Sequence, residues 1–446
     1  MTPNIKILES ESQYCVFNTE TFNLFDINRF SRDVLSYLIT NRNINETARH
    51  YQLTDNDITS ILDKIGYKST IETKTEYTKD YPSTNKIVDR ITLHVSNDCN
   101  LRCKYCYASG GTYGKSRGLM TPETAKRFVD YCCDNFEKIK NIVFFGGEPF
   151  LNCPVIELVC QQFHSKFNNG DIQSIPKFGA ITNGTILSPK AISLIKKYFS
   201  FITVSIDGPK EINDINRITR SGNGSFDSIN QFLKRISSFP KLKISVESTY
   251  TQQHINHGYT RTMIRDYFMK EFNIKADVID EMSLENSKTA ITELDKPFDS
   301  PWFNSILKTI VNKEPETKCQ ILRSIFAIST DGGIFPCHMN IGDGMKPVSS
   351  IWDSQKSLNH ILKSDKSYFL KENNICSNCW AKNICGGCAR LSFYDSRKKG
   401  YSHEPIEPKC NDFRHIVEKV LLKICEVRKN PKLWDALLTN VNTPNH

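Results

Sequence analysis

The chain lacks any apolar run approaching the ~18 residues that a membrane-spanning helix needs, so no membrane partner is expected. Its first residues, MTPNIKILES, carry neither a basic n-region nor an apolar h-region. A secretory signal is therefore not expected, and the expected compartment is cytoplasmic. There is no sequence repeat and no Ser-His-Asp arrangement to suggest a hydrolase. A run of five like charges is also missing. The net charge of +9 is spread over 446 residues, which permits an acidic partner but gives no concentrated basic patch, and no nucleic acid is expected. Cysteine, by contrast, is plentiful, at 16. In a chain without a signal, such cysteines more often bind metal or do redox work than form a disulfide framework.

A chain of this length implies two or three domains. Ile5–Leu8, Tyr14–Phe17 and Thr21–Phe25 read as short strands. Helical patterns follow at Ser31–Asn41, Asn45–Tyr51 and Thr54–Ile65. Together they make a small winged-helix-like module over residues 1–75. The polar stretch Lys68–Lys86 marks connecting chain, and the linker is placed at 76–90.

From Ile91 the pattern alternates. Strands are expected at Ile91–Val95, Asn141–Phe145, Lys177–Thr182, Phe201–Ile206, Lys243–Thr249 and Lys275–Ile279. Helices are expected at Thr121–Phe136, Val155–Phe167, Pro189–Tyr198, Ser225–Ser237, Tyr259–Glu271 and Pro301–Val311. Six β–α units predict an α/β fold, a partial (β/α)6 TIM-type barrel over 91–312. Its chemistry should sit at the C-terminal ends of the strands. Residues 313–415 hold seven cysteines and little periodicity, which suits a metal-held fold. A terminal helix at Asp412–Val427 and a loose tail complete the chain, with residues 416–446 taken as the C-terminal segment.

Cys99-Asn-Leu-Arg-Cys103-Lys-Tyr-Cys106 follows the first barrel strand. A [4Fe–4S] cluster normally takes four cysteines, so three close ones point to a cluster with one open iron, where a small molecule can bind. The alternative is structural zinc, whose motifs usually supply C-x2-C pairs adding up to four ligands. Gly146-Gly147-Glu148-Pro149 follows the second strand. Its glycines would let backbone approach a ligand, and Glu148 could accept from an ammonium group; an ordinary strand-ending turn is the plainer alternative. Asn183, Ser205 and Asp207 end the third and fourth strands, where they could reach ribose hydroxyls or simply make turns. Glu247 on the fifth strand is a weaker candidate. Further on come Cys319, Cys337, Cys376-x2-Cys379, Cys385-x2-Cys388 and Cys410. Cys15, Cys132, Cys133, Cys153, Cys160 and Cys425 remain, and read as buried or incidental.

The C-x3-C-x2-C spacing with an aromatic before its last cysteine resembles the signature of radical S-adenosylmethionine (SAM) enzymes. The resemblance implies that Cys99, Cys103 and Cys106 hold a SAM-binding [4Fe–4S] cluster and that Gly146, Gly147, Glu148 and Pro149 hold the SAM amino group. It also puts Tyr105 near adenine, Arg217 facing the SAM carboxylate, and Ser205, Asn183 and Asp207 near the ribose. The seven later cysteines resemble the SPASM extension of peptide-modifying members, which carries two auxiliary clusters. By that likeness Cys376, Cys379, Cys385 and Cys410 close one cluster, and Cys319, Cys337 and Cys388 hold the other. The spacing Cys385-Gly-Gly-Cys388 is one residue shorter than usual. The N-terminal module resembles the peptide-recognition element of natural-product maturases, with a free sheet edge for an extended peptide.

The implied protein is a SPASM radical-SAM maturase of the thioether-forming (sactipeptide or ranthipeptide) type. It would use three [4Fe–4S] clusters, SAM, a flavodoxin- or ferredoxin-type reductant and a ribosomally made precursor peptide. It would cleave SAM to a 5′-deoxyadenosyl radical and close a sulfur-to-carbon bond. Carbon–carbon or carbon–oxygen crosslinking, sulfatase-type formylglycine formation and a non-catalytic, zinc-stabilised peptide-binding adaptor are the alternatives.

Overall fold

Three strands, β1 (Ile5–Glu9), β2 (Tyr14–Asn18) and β3 (Leu24–Ile27), form an antiparallel meander in that order. The computed structural model in which they occur describes residues 4–11, 13–67, 87–280, 294, 296–316, 321, 324–342, 345–353, 374–395, 398, 400–402 and 404–442. Cys319 and the expected linker as far as residue 86 lie outside these residues. The third strand begins at Leu24 rather than Thr21. The Asn18 side chain accepts from the Glu20 and Thr21 amides, and Phe22 adopts a left-handed φ of 58°, so those residues turn instead of extending.

Period-two alternation gives this small sheet two apolar faces. Ile5, Ile7, Val16, Phe25 and Ile27 face α1 (Arg29–Asn41), α2 (Ile44–Tyr51) and α3 (Asp55–Ile65). Each helix is capped by the residue before it. Asn28 and Asn43 cap the first two, and a Thr54–Asp57 capping box opens the third. Leu8, Cys15, Phe17 and Leu24 face the other way, onto the C-terminal helix Glu407–Arg428 and a helix at Pro301–Asn312. Each large apolar side chain so buried contributes about 1.5–3 kcal/mol. Lys6–Glu418 at 2.8 Å and Arg428 Nη1 donating to the Leu24 carbonyl at 2.8 Å reinforce that docking.

β4 (Ile87–Ser96), β5 (Lys138–Gly146), β6 (Lys177–Thr182), β7 (Phe199–Ser205), β8 (Lys243–Tyr250) and β9 (Ala276–Asp280) lie side by side in sequence order, all parallel. β4 begins at Ile87, inside the expected linker. Ile91, Leu93, Val95, Ile142, Phe144, Ala180, Ile202 and Val204 point to the helix-covered core. The alternate residues Arg90, Thr92, Asn141, Val143, Phe145, Ile181, Phe201 and Thr203 line a cavity of about 310 Å³ inside the curve of the sheet. Two short helices, Lys210–Asn216 and Gln252–Asn256, add to the expected ones.

The far side of β4 is taken by β10 (Ile325–Ile328), which pairs with it in parallel. β11 (Gly333–Phe335) and β12 (Ser349–Ser350) continue the sheet antiparallel, to nine strands. The first part of the cysteine-rich region, through β10, β11 and β12, is thus built onto the edge of the barrel sheet. As far as Asn442 the tail is helical, not loose. Pro431–Asn442 is a helix whose entry is capped by Asn430 accepting from the Leu433 amide at 3.2 Å, and Leu437 is buried against Glu407–Arg428.

Candidate active site at the strand ends

β4 ends in Ser96, and the chain then turns out to carry Cys99, Cys103 and Cys106. Cys99 is buried, and Cys103 and Cys106 are half-exposed. The loop is pinned from two sides. Arg102 and Lys104 amides donate to the Ile218 and Asn216 carbonyls at 2.7 and 3.0 Å. Arg220 donates from Nε and Nη2 to the Cys99 carbonyl at 3.1 and 2.7 Å, and also pairs with Asp98. Burial pushes the Cys99 thiol up to about 12, and its sulfur accepts from the Leu101 amide at 3.4 Å and Asn183 Nδ2 at 3.6 Å, two donors that oppose the rise.

The glycine pair after β5 secures the same loop. Gly147 and Glu148 amides donate to the Ser96 and Asp98 carbonyls at 2.9 and 2.8 Å. These amides are committed to the cysteine loop rather than open to a ligand. A Cβ at Gly147 would fall 2.3 Å from the Asp98 carbonyl oxygen and 2.8 Å from Gly111 Cα. Gly147→Ala is therefore expected to cost about 1–3 kcal/mol by overpacking and to loosen the loop. Iron per chain after anaerobic reconstitution should fall, and a full complement in this variant would contradict the role assigned to the close approach.

Glu148 is fully buried. Oε1 accepts from the Phe150 amide at 3.0 Å and from Thr182 at 2.8 Å, and Oε2 from the Asn183 amide at 2.8 Å. One lone pair on Oε2 is left. Burial pushes this carboxyl up to about 7 despite those bonds. Pro149 opens the 3-10 turn Pro149–Asn152 that Glu148 caps. Asn183 is fully engaged: Oδ1 accepts from the Thr185 amide and hydroxyl, and Nδ2 also donates to Asn100. It ties β6 to the cysteine loop and has no donor left for a ribose. The half-buried Ser205 hydroxyl at the end of β7 has no protein hydrogen-bond partner among the described residues.

Tyr105, Asp207 and Arg217 come together. The Tyr105 hydroxyl donates to both Asp207 oxygens at 2.8 and 2.9 Å and accepts from Arg217 Nη1 at 2.7 Å. Arg217 Nη1 lies 3.9 Å from Asp207. Burial raises the Asp207 carboxyl, and Arg217 opposes the rise. Arg217 is 5 % exposed, its Nε has no partner, and its charge acts on Cys103. A buried guanidinium with a free N–H beside the cysteine loop fits an anionic group such as a carboxylate.

One residue escaped the sequence reading. His94, on the lumen side of β4, is fully buried between the rings of Tyr113 and Phe145, and neither ring nitrogen has a partner. Its inward position in the strand was the available signal. Cys337 follows β11, and its neighbour His338 packs edge-on against Phe145. Cys106 and Cys337 both act electrostatically on Tyr107. Farther out, Cys379 and Cys385 act on Cys410, in the first turn of Glu407–Arg428, and Arg414 donates to Cys379 Sγ at 3.9 Å. Cys376 lies in the turn Asn374–Ser377, and Cys388 leads into the helix Ala389–Phe393.

Thiolates on tetrahedral zinc stand about 3.8 Å apart. Among the described residues, the only group of three whose ligand atoms all lie within 4.8 Å is Cys15, Asp26 and Cys425. Neither Cys99, Cys103 and Cys106 nor Cys376, Cys379, Cys385 and Cys410 has the spacing of a single zinc ion.

A sequentially wound parallel sheet whose first strand delivers a three-cysteine loop, with polar groups at the next strand ends, defines the radical SAM fold. Residues 93–251 match the family model described as the Radical SAM superfamily, so that segment is a radical SAM domain. The chain is 24% identical over 439 residues to the radical SAM cyclopropyl synthase TigE of Paramaledivibacter caminithermalis, covering 88% of this chain and 89% of that one. It is 26% identical over 386 residues to a cysteine-type anaerobic sulfatase-maturating enzyme of Clostridium novyi, covering 77% and 98%. The solved structure of native anSMEcpe with bound AdoMet superposes with a TM-score of 0.57 at 20% identity, covering 78% of this chain and 99% of that one, which is a likeness of fold.

Proposed function

We propose that the protein is a radical SAM peptide maturase that closes a sulfur-to-carbon thioether in a ribosomally made precursor. The observation that carries the SAM assignment is the buried Arg217, with its free Nε, beside the three-cysteine loop. Cys99, Cys103 and Cys106 would hold the cluster. Arg217 would take the SAM carboxylate, the remaining Oε2 lone pair of Glu148 the ammonium, and Ser205 a ribose hydroxyl. Asn183, Tyr105 and Asp207 would hold these groups in place. Bound there, cluster and SAM together supply reductive formation of a 5′-deoxyadenosyl radical that removes hydrogen from the peptide.

The peptide assignment is supported by relatives named for protein maturation and by the N-terminal sheet, which leaves edge backbone for an added strand. The module 1–75 would bind the leader, and the cysteine-rich segment 313–415 would carry two auxiliary clusters. Sulfur chemistry is favoured because no cysteine stands between Cys160 and Cys319. The set Cys319, Cys337 and Cys388 would then leave one iron for a substrate thiolate, which metal coordination deprotonates. Carbon–carbon closure is the second reading, favoured by the likeness to a cyclopropyl synthase over most of the chain.

The test is anaerobic turnover of a cysteine-containing precursor peptide. A thioether predicts loss of one hydrogen pair from the peptide together with loss of alkylation at one cysteine. Loss of the hydrogen pair with every thiol still alkylatable would replace the thioether with a carbon–carbon or carbon–oxygen bond.

Glu148 adds a pH signature. Its folded-state value, about 7, lies above the ordinary carboxyl value, so the cost of ionising it in place appears as pH rises through that range. An ammonium on Oε2 offsets that cost. SAM affinity is therefore expected to rise roughly tenfold from pH 6 to pH 7.5, since ~1 pH unit of linked ionisation is worth a factor of ten. Calorimetric titration of the iron-replete enzyme measures this. A flat profile in the wild type, or a slope unchanged in Glu148→Gln, would remove Glu148 from the ammonium site.

A further inference from the structure

We propose that Cys15, Asp26 and Cys425 form a zinc site that clamps the N-terminal sheet onto the C-terminal helix. Cys15 on β2 and Asp26 on β3 are cross-strand partners, and Cys425 arrives from Glu407–Arg428 at the other end of the chain. Their two sulfurs and a carboxylate oxygen lie within 4.8 Å of one another, the span of ligands around one ion. Both cysteines are fully buried in the apolar core between the two units, while Asp26 reaches solvent.

The surroundings suit ligands. Gln13 Nε2 donates to Asp26 Oδ1 at 3.1 Å and to Cys15 Sγ at 3.5 Å, so one amide orients both a carboxylate and a thiolate. Outer groups of this kind typically hold metal ligands in position. Cys15 Sγ lies 3.8 Å from Asp26 Oδ1. Two soft thiolates beside one carboxylate select zinc over magnesium or calcium.

Zinc binding forms two Zn–S bonds and one Zn–O bond, and the two thiols release their protons to solvent with no change of oxidation state. A water on the exposed side of Asp26 completes four-coordination. The site uses none of the cysteines assigned to iron. Its role is to fix the sheet proposed to bind peptide against the helix whose first turn carries Cys410.

The test counts zinc and iron in full-length, iron-replete enzyme after passage over a chelating resin, with zinc chloride as the only metal added. One zinc per chain is expected in the wild type, and none in Cys15→Ser/Cys425→Ser, with iron unchanged. Asp26→Asn, an isosteric change at an exposed position, should weaken zinc by about tenfold or more in competition with a chromophoric chelator, the scale on which changes at metal sites act. Equal zinc in the wild type and the double variant would overturn the proposal, whether both hold none or both hold it on iron cysteines. Unchanged affinity in Asp26→Asn would do the same, even if the double variant fails to fold.

Discussion

Replacing Cys103 with alanine is expected to abolish SAM cleavage and, with the three clusters proposed above, to remove about four of about 12 irons per chain. The effect should fall on the cluster and leave the fold intact. The loop is held by the backbone bonds of Arg102 and Lys104 to residues 218 and 216, and by Arg220 on the Cys99 carbonyl, none of which uses the Cys103 side chain. Cys103 is also half-exposed, so truncation leaves little cavity. The readouts are iron content and 5′-deoxyadenosine after adding SAM and a reductant. Undiminished 5′-deoxyadenosine in this variant would place the SAM-cleaving cluster elsewhere.

The second large effect is expected at Arg217. Arg217→Ala would leave Asp207, fully buried, with the Tyr105 hydroxyl but no counter-charge. Breaking a buried pair from one side costs about 3–5 kcal/mol. The sign with pH follows from Asp207, whose carboxyl is already raised by burial and loses the opposing Arg217. A carboxyl raised in the folded state destabilises as pH rises through its folded value. The variant's deficit should be largest near pH 8 and shrink towards pH 5. Thermal unfolding of iron-replete protein at the two ends measures it, and Asp207→Asn in the same background should restore part of the loss. A deficit independent of pH would mean that Asp207 is not the group left uncompensated.

The six barrel strands were legible because each is long enough to show its alternation and each is followed by helical sequence, in several cases opened by a cap. Ser188-Pro189 and Thr121-Pro122 are examples, a hydroxyl cap followed by proline in the first turn. The helices at Lys210–Asn216 and Gln252–Asn256 span under two turns, too short for a period to register. β10, β11 and β12 are shorter still, and their membership of the barrel sheet is set by pairing with β4, which no local pattern encodes. The terminal helix was within reach. Asn430-Pro431 is a helix start, and Leu433, Trp434 and Leu437 share a face.

The site divides in the same way. Cysteine spacing is local, so the loop could be read directly. Which donors are already engaged is a tertiary fact. Asn183 is consumed by Asn100, Thr185 and Cys99, and the Gly147 amide by Ser96. Cys15 and Cys425, which read as buried or incidental in sequence, are buried, and they meet only because the C-terminal helix packs on the first sheet.

The most direct test of a peptide-acting radical enzyme is hydrogen transfer from peptide to the SAM-derived product. A precursor peptide deuterated at side-chain and α carbons is incubated anaerobically with the iron-replete enzyme, SAM and reductant. The account predicts deuterium in 5′-deoxyadenosine, in step with crosslinked peptide. Deuterium-free 5′-deoxyadenosine with the peptide unchanged would contradict it.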